Sequence, residues 1–210
     1  MEELDKLISL YNLDITGKLP IEIPNMGREQ LAQLFKTLGY KVGAEIGVDK
    51  GYYSETICIN NPGVKLYAID PWKVYQGYVD HTIQRNSDIA LNETTDRLMI
   101  YNVKIIRKFS MDAVKDFQDN SLDFVYIDGN HEFSFVAEDM YYWSYKVRPG
   151  GIISGHDYIR HNQYRHCHVV DAVNGFTYAY RINPWFVCGT KEKVEGQIRE
   201  NSRSWFWFKK

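Results

Sequence analysis

Residues 42–70 read VGAEIGVDKGYYSETICINNPGVKLYAID. Two apolar runs, 42–48 and 64–69, have the composition of buried strands, and 53–59 between them reads as a helix. A glycine-bearing loop joins the first strand to that helix. An acid, Asp70, closes the second strand. Strand, helix and strand in this order predict a parallel sheet.

The same alternation continues in both directions. Upstream, residues 1–16 predict a short helix, with Leu4, Leu7, Ile8 and Tyr11 at helical spacing. Residues 17–25, holding Pro20 and Pro24, predict an extended, turn-rich stretch. Residues 28–38 predict a helix ended by Gly39. Downstream, 79–101 is largely helical, 103–107 a strand, 111–117 a short helix and 122–127 a strand of the fully buried type. Residues 135–146 then read as helix, 151–154 as strand and 169–180 as helix. Two aromatic runs, 185–188 and 205–208, are expected to pair antiparallel at the sheet edge. The expectation is an α/β fold, mostly parallel, with helices on both faces and an antiparallel end. Residues 40–210 form the domain, and 1–39 a helical or lid segment packed on it.

Composition narrows the partners. The 210 residues are 44% hydrophobic and 25% charged, an ordinary globular balance. A formal net charge of -2 offers no overall attraction to nucleic acid or to an anionic membrane surface. No apolar run approaches the ~20 residues of a membrane span. The start, MEELDKLISLYNLD, is acidic and amphipathic, which is not the pattern of a secretory leader. Cys58, Cys167 and Cys188 are widely spaced without a CxxC pair, so neither a disulfide framework nor a thiolate zinc site is expected. The expected home is a reducing cytoplasm.

The loop after the first strand carries the first chemical signal. It reads E-x-G-x-x-x-G, from Glu45 through Gly47 to Gly51. Glycines there let backbone approach a ligand, and the next helix presents free N–H groups. A dinucleotide site has G-x-G-x-x-G instead. Glu45 is awkward for a pyrophosphate and suits a cationic ammonium or sulfonium. Asp70, ending the next strand, can accept from both hydroxyls of a ribose.

A second signal lies at the ends of two later strands. One gives Asp128-Gly129-Asn130-His131, the other Gly155-His156-Asp157. Asp128, His156 and Asp157 could converge on a divalent cation, carboxylates suiting Mg2+ or Mn2+ and an imidazole favouring Mn2+, Fe2+ or Zn2+. Singly, such acids commonly cap a turn or helix; four such groups on neighbouring strand ends point to a site. His81, His161, His166 and His168 have no matching carboxylate pattern.

GAEIGVDKGYYSETI, LYAIDPW, SLDFVYIDGNHEFSFVAEDMYYWSYKVRPGGIISGHDY and SWFWFK resemble the class I S-adenosylmethionine-dependent methyltransferases. Within them, the segments are similar to the small-molecule O-methyltransferases of sugar and natural-product pathways. The resemblance covers residues 40–210. It implies a Rossmann-like seven-stranded sheet with an antiparallel last strand. It implies Glu45, Gly47 and Gly51 around the methionine moiety, Asp70 on the ribose with Trp72 beside it, Ser110 and Met111 near adenine, and Asp128 at the cofactor's edge. It also implies Asp128 as a metal ligand and His131 as the catalytic base. Where relatives have two consecutive acids, this chain has His156-Asp157.

Three readings stand beside a metal-assisted O-methyltransferase: a metal-independent methyltransferase, a dinucleotide oxidoreductase, and a non-catalytic cofactor-binding module. The missing G-x-G-x-x-G argues against the second, and Asp128 with His131 against the third. The acceptor is read as a small-molecule hydroxyl. Tyr52, Tyr53, Trp72, Tyr75, Tyr78, Tyr158 and Tyr164 suit stacking on its ring, and equally a core or a homo-oligomer interface.

Overall fold

The apolar runs assemble into one sheet whose direction is set by the helical crossovers between them. The computed structural model describes residues 2–76, 82–160 and 167–210. The chain runs α1 (Glu2–Tyr11), β1 (Ile21–Ile23), α2 (Arg28–Thr37), β2 (Val42–Ile46), α3 (Tyr52–Asn60), β3 (Lys65–Asp70), α4 (Gln84–Leu98) and β4 (Val103–Arg107). It continues α5 (Ser110–Ala113), a 3-10 turn (Val114–Asp116), β5 (Leu122–Ile127), α6 (Phe133–Lys146), β6 (Val147–Gly155), α7 (Val169–Ala179), β7 (Phe186–Cys188) and β8 (Trp205–Phe208).

Among the described residues the sheet has eight strands in the order β1-β7-β8-β6-β5-β2-β3-β4. Strands β2 to β6 are parallel to one another, and β8 is antiparallel to both β6 and β7. The α/β class and the reversed C-terminal strand are as the sequence predicts. Two details differ. The eighth strand is β1, parallel to β7 at the edge; two flanking prolines and only three residues left no periodicity to read. The aromatic runs do pair antiparallel, but β8 lies inside the sheet, between β6 and β7, and all four of its residues are buried.

That burial explains the sequence WFWF. Alternate residues of a strand face opposite sides, so Trp205 and Trp207 pack with α6 and α7 residues such as Trp143 and Val173. Phe206 and Phe208 pack on the other face with Leu7, Phe35 and Ile57. Helices therefore cover both faces, and residues 1–39 contribute directly to the second: Phe35 stacks on Phe124 with ring centroids 4.0 Å apart. No helix among the described residues is long and apolar enough to cross a membrane.

Because Phe35 is fully buried, Phe35→Ala is expected to cost about 3–5 kcal/mol. Urea denaturation of the two proteins measures it. A cost below about 1 kcal/mol would mean that α2 is not part of the folding core.

Candidate active site

Parallel strands β2, β3 and β5 end on one rim, and the residues after them face each other. The Gly47 N–H donates to the Ile69 carbonyl at 2.9 Å, and the Asp128 N–H to the Ile46 carbonyl at 2.7 Å. Gly47 has φ +83, and a Cβ there would sit 2.0 Å from the Asp128 carbonyl oxygen. Only glycine fits. Gly51, at φ +77, turns the chain into α3.

Asp70 pins this loop. One carboxylate oxygen accepts from the Val48 and Asp49 N–H groups at 2.9 and 3.1 Å, the other from Trp72 N–H at 2.7 Å. A carboxylate offers about four acceptor positions, so one remains for a ligand. Trp72 is buried against Val48, Ala68, Ala90 and Leu98, and its indole N–H donates to the Asp49 carbonyl.

The rim opens into a cleft of about 700 Å³. The predicted residues Glu45, Gly47, Asp70, Ser110, Met111, Asp128 and His131 line it; Gly51, Trp72, His156 and Asp157 do not. Gly51 and Trp72 shape the loop from behind. Glu45 is buried and accepts a hydrogen bond from Ser54. Burial pushes its carboxyl up to about 8, against the pull of Ser54 and Arg28. At the far end the Ser110 hydroxyl donates to Asp139 and accepts from the Trp143 indole at 2.8 Å. Burial pushes Asp139 up to about 7. Of the aromatics singled out, Tyr52, Tyr75 and the largely buried Tyr53 line the cleft, whereas Tyr158 is buried away from it. Tyr78, Tyr164, His81, His161 and His166 lie outside the described residues.

Beside the cleft stands the acid–histidine cluster. Asp157, at φ +55, turns back from β6 toward β5. His131 Nε2 lies 2.9 Å from Asp157 Oδ2 and 3.8 Å from Asp128 Oδ1. His156 Nδ1 is 3.6 Å from each of the same two oxygens. Burial works against every charge here, yet the histidines and Arg28 hold Asp128 well below the usual carboxylate range, and the histidines hold Asp157 there too. In the same way, the carboxylates push His131 up to about 11 and His156 to about 9.

The geometry also tests a metal. Ligand atoms of Asp128, His131 and Asp157 all lie within 4.8 Å of one another. His131 Nε2 is buried and closes no well-aligned hydrogen bond despite its short distance to Asp157. Two carboxylates and an under-satisfied imidazole suit Mg2+ or Mn2+. The set contains His131, where the sequence reading had His156.

Sequence reasoning missed Arg28. Its Nη2 lies 2.6 Å from Asp128 Oδ2, and it lines the cleft. The available signal was its place: a cation in the first turn of a helix opposes the helix dipole and so calls for a partner.

A family described as "Methyltransferase domain" matches residues 44–158. An uncharacterized protein of Sinorhizobium fredii, y4gI, is 23% identical over 119 residues, 56% of this chain. The match spans 12% of that protein's length. Among solved structures, an O-methyltransferase from Bacillus cereus in complex with SAH is similar at TM-score 0.61 and 15% identity, covering 99% of this chain and 90% of that one. The N-methyltransferase NodS of Bradyrhizobium japonicum follows at 0.56 and 12%, covering 87% and 94%. A precorrin-6y C5,15-methyltransferase of Geobacter metallireducens stands at 0.55 and 16%, covering 85% and 86%. One fold thus serves several kinds of acceptor atom.

Glu45 yields a pH prediction. Its carboxyl is raised on folding, so its stabilising contribution is complete below about pH 4.5 and is lost as pH rises toward about 8. Asp139 acts in the same direction over a lower window. Melting temperatures measured from pH 5 to 9 should therefore fall with pH, and Glu45→Gln should make the fall shallower. An identical slope in the variant would mean that Glu45 is ionised throughout.

Proposed function

The chain belongs to the methyltransferase-domain family, and on that premise we propose that it transfers a methyl group from S-adenosylmethionine to a hydroxyl oxygen of a small molecule, a sugar or natural product. The observation that carries this reading is the junction of two sites on one rim. The Glu45–Asp70 loop and the Asp128–His131–Asp157 trio adjoin one 700 Å³ cleft.

The bound cofactor supplies a methyl group on a sulfonium, already activated for attack. Glu45 places negative charge toward its cationic end. Asp70 offers its remaining acceptor position to the ribose, and Ser110 and Met111 wall the adenine end. The chain's main contribution is alignment of two reactants in line. A divalent cation, held by Asp128, His131 and Asp157, would lower the pKa of the acceptor hydroxyl. This assigns His131 as a ligand. Between two carboxylates the imidazole keeps its own proton and serves poorly as a base, and a cation binding there would take that proton's place. His156 stays close enough to orient both acids.

One observation favours a metal-free rival. Arg28 already sets a positive charge 2.6 Å from Asp128, and together with the two imidazoles it can balance the carboxylates.

Calorimetry should show micromolar binding of S-adenosylmethionine or its demethylated product; tight NAD binding instead would sink the reading. Exhaustive chelation should abolish turnover and leave cofactor affinity nearly unchanged. Full activity after chelation would select the metal-free rival.

His131→Ala separates ligand from base. If His131 is a ligand, excess Mn2+ should restore much of the lost rate. A loss of about 10²–10⁴ persisting at saturating Mn2+ would instead make it the base.

A further inference from the structure

We infer that Arg28 is the specificity-determining residue for the acceptor, and that it selects hydroxylated molecules carrying a carboxylate. The inference rests on the methyl transfer proposed for this cleft. Arg28 opens α2 and lies outside the matched residues 44–158, so the stretch shared with the family does not supply it.

Its guanidinium is held rigidly. The Tyr53 ring lies 4.2 Å from it and the Tyr126 ring 5.2 Å. The Tyr53 hydroxyl donates to the Arg28 carbonyl at 3.1 Å, and the Arg28 N–H donates to Glu200. Such a clamp places a planar cation at one point in space.

The cation's donors are mostly unused. Nη2 is on Asp128, and Nε is buried with no partner. Nη1 finds no acceptor among the described residues. The side chain stays 30% exposed. It lines both the main cleft and an adjoining space of about 460 Å³ shared with Tyr53, Thr56, Asn60 and Glu200.

Charge makes the position selective. The lining carries the carboxyls of Glu45, Asp49, Asp70, Asp128, Glu138 and Asp139. Its cationic side chains are Arg28, Lys50 and the imidazole of His131. The Lys50 ammonium lies 3.4 Å from Glu93, and His131 stands between Asp128 and Asp157. An anionic acceptor is therefore repelled wherever these carboxyls are ionised and attracted at Arg28. Two carboxylate oxygens match the guanidinium fork, which adds orientation to attraction. Anchored there, an acceptor presents its hydroxyl beside Asp128, on the cofactor's side of the cleft.

Paired acceptors test this: glucuronate against glucuronamide, and dihydroxybenzoate against dihydroxybenzamide. Product release from S-adenosylmethionine is followed for the wild type, Arg28→Lys and Arg28→Gln. Calorimetry follows binding of each acid to protein loaded with S-adenosylhomocysteine. The wild type should prefer the acid of at least one pair by about 10- to 100-fold in kcat/KM, mainly through KM. Arg28→Gln should bring the acid-to-amide ratio close to one, and Arg28→Lys should keep part of it. The inference is overturned if acid and amide react equally in the wild type. It is overturned too if Arg28→Gln slows both alike, the mark of a residue that only positions Asp128, or if no acid in the panel is bound or methylated. Binding of S-adenosylhomocysteine to each variant separates the two levels: its loss in the wild type defeats methyl transfer itself, while intact binding confines any failure to Arg28. Retained binding also shows that the variants are folded.

Discussion

Gly47 and Asp128 approach so closely that no methyl group fits between their backbones, and the cleft is organised around that contact. It welds the end of β2 to the end of β5 through the Asp128 N–H on the Ile46 carbonyl. The glycine loop and the acid–histidine cluster are thereby two sides of one wall. Any widening there would separate the glycine loop from the acid–histidine cluster. Alignment of reactants depends on distances of this kind, and small errors in them are costly to rate.

Around that wall four acids fall into two groups. Asp128 and Asp157 have imidazoles and a guanidinium within reach and stay ionised. Glu45 and Asp139 have mainly hydroxyl donors, and burial drives them toward the neutral form. A neutral buried acid costs little until a cation arrives, when its ionised form becomes the favoured one. A positively charged ligand entering the cleft would thus meet groups that become negative on its arrival, while Asp128 and Asp157 are charged beforehand.

Much of this was legible in the sequence for one physical reason. Parallel strands end on a common rim, so residues at strand ends meet even when far apart in the chain. Glu45, Asp70, Asp128 and Asp157 could be grouped on that basis. The rest depended on side-chain direction. Trp72, two residues after Asp70, points behind the loop because its backbone turns at φ +41. The sequence reading made His131 the base and His156 a metal ligand, and only the distances bring His131 into the set with Asp128 and Asp157. β1 was too short for a periodic signal, and Arg28 reads as an ordinary surface residue of an amphipathic helix until the fold brings β5 beneath it.

The edge of the sheet has a consequence for the order of assembly. β1 pairs with β7 alone, β7 holds its place through β8, and β8 is seated against β6. The first strand of the chain thus cannot dock before the last two have done so, and its closure spans most of the sequence. Contacts of such separation form late and slowly. The half of the cleft built from β2, β3 and β5 involves shorter loops and can mature earlier. Arg28 follows β1 by a few residues, so the Arg28 side of the cleft is completed last. Opening of the β1 edge would release it first, leaving the other half standing as a separately cooperative unit.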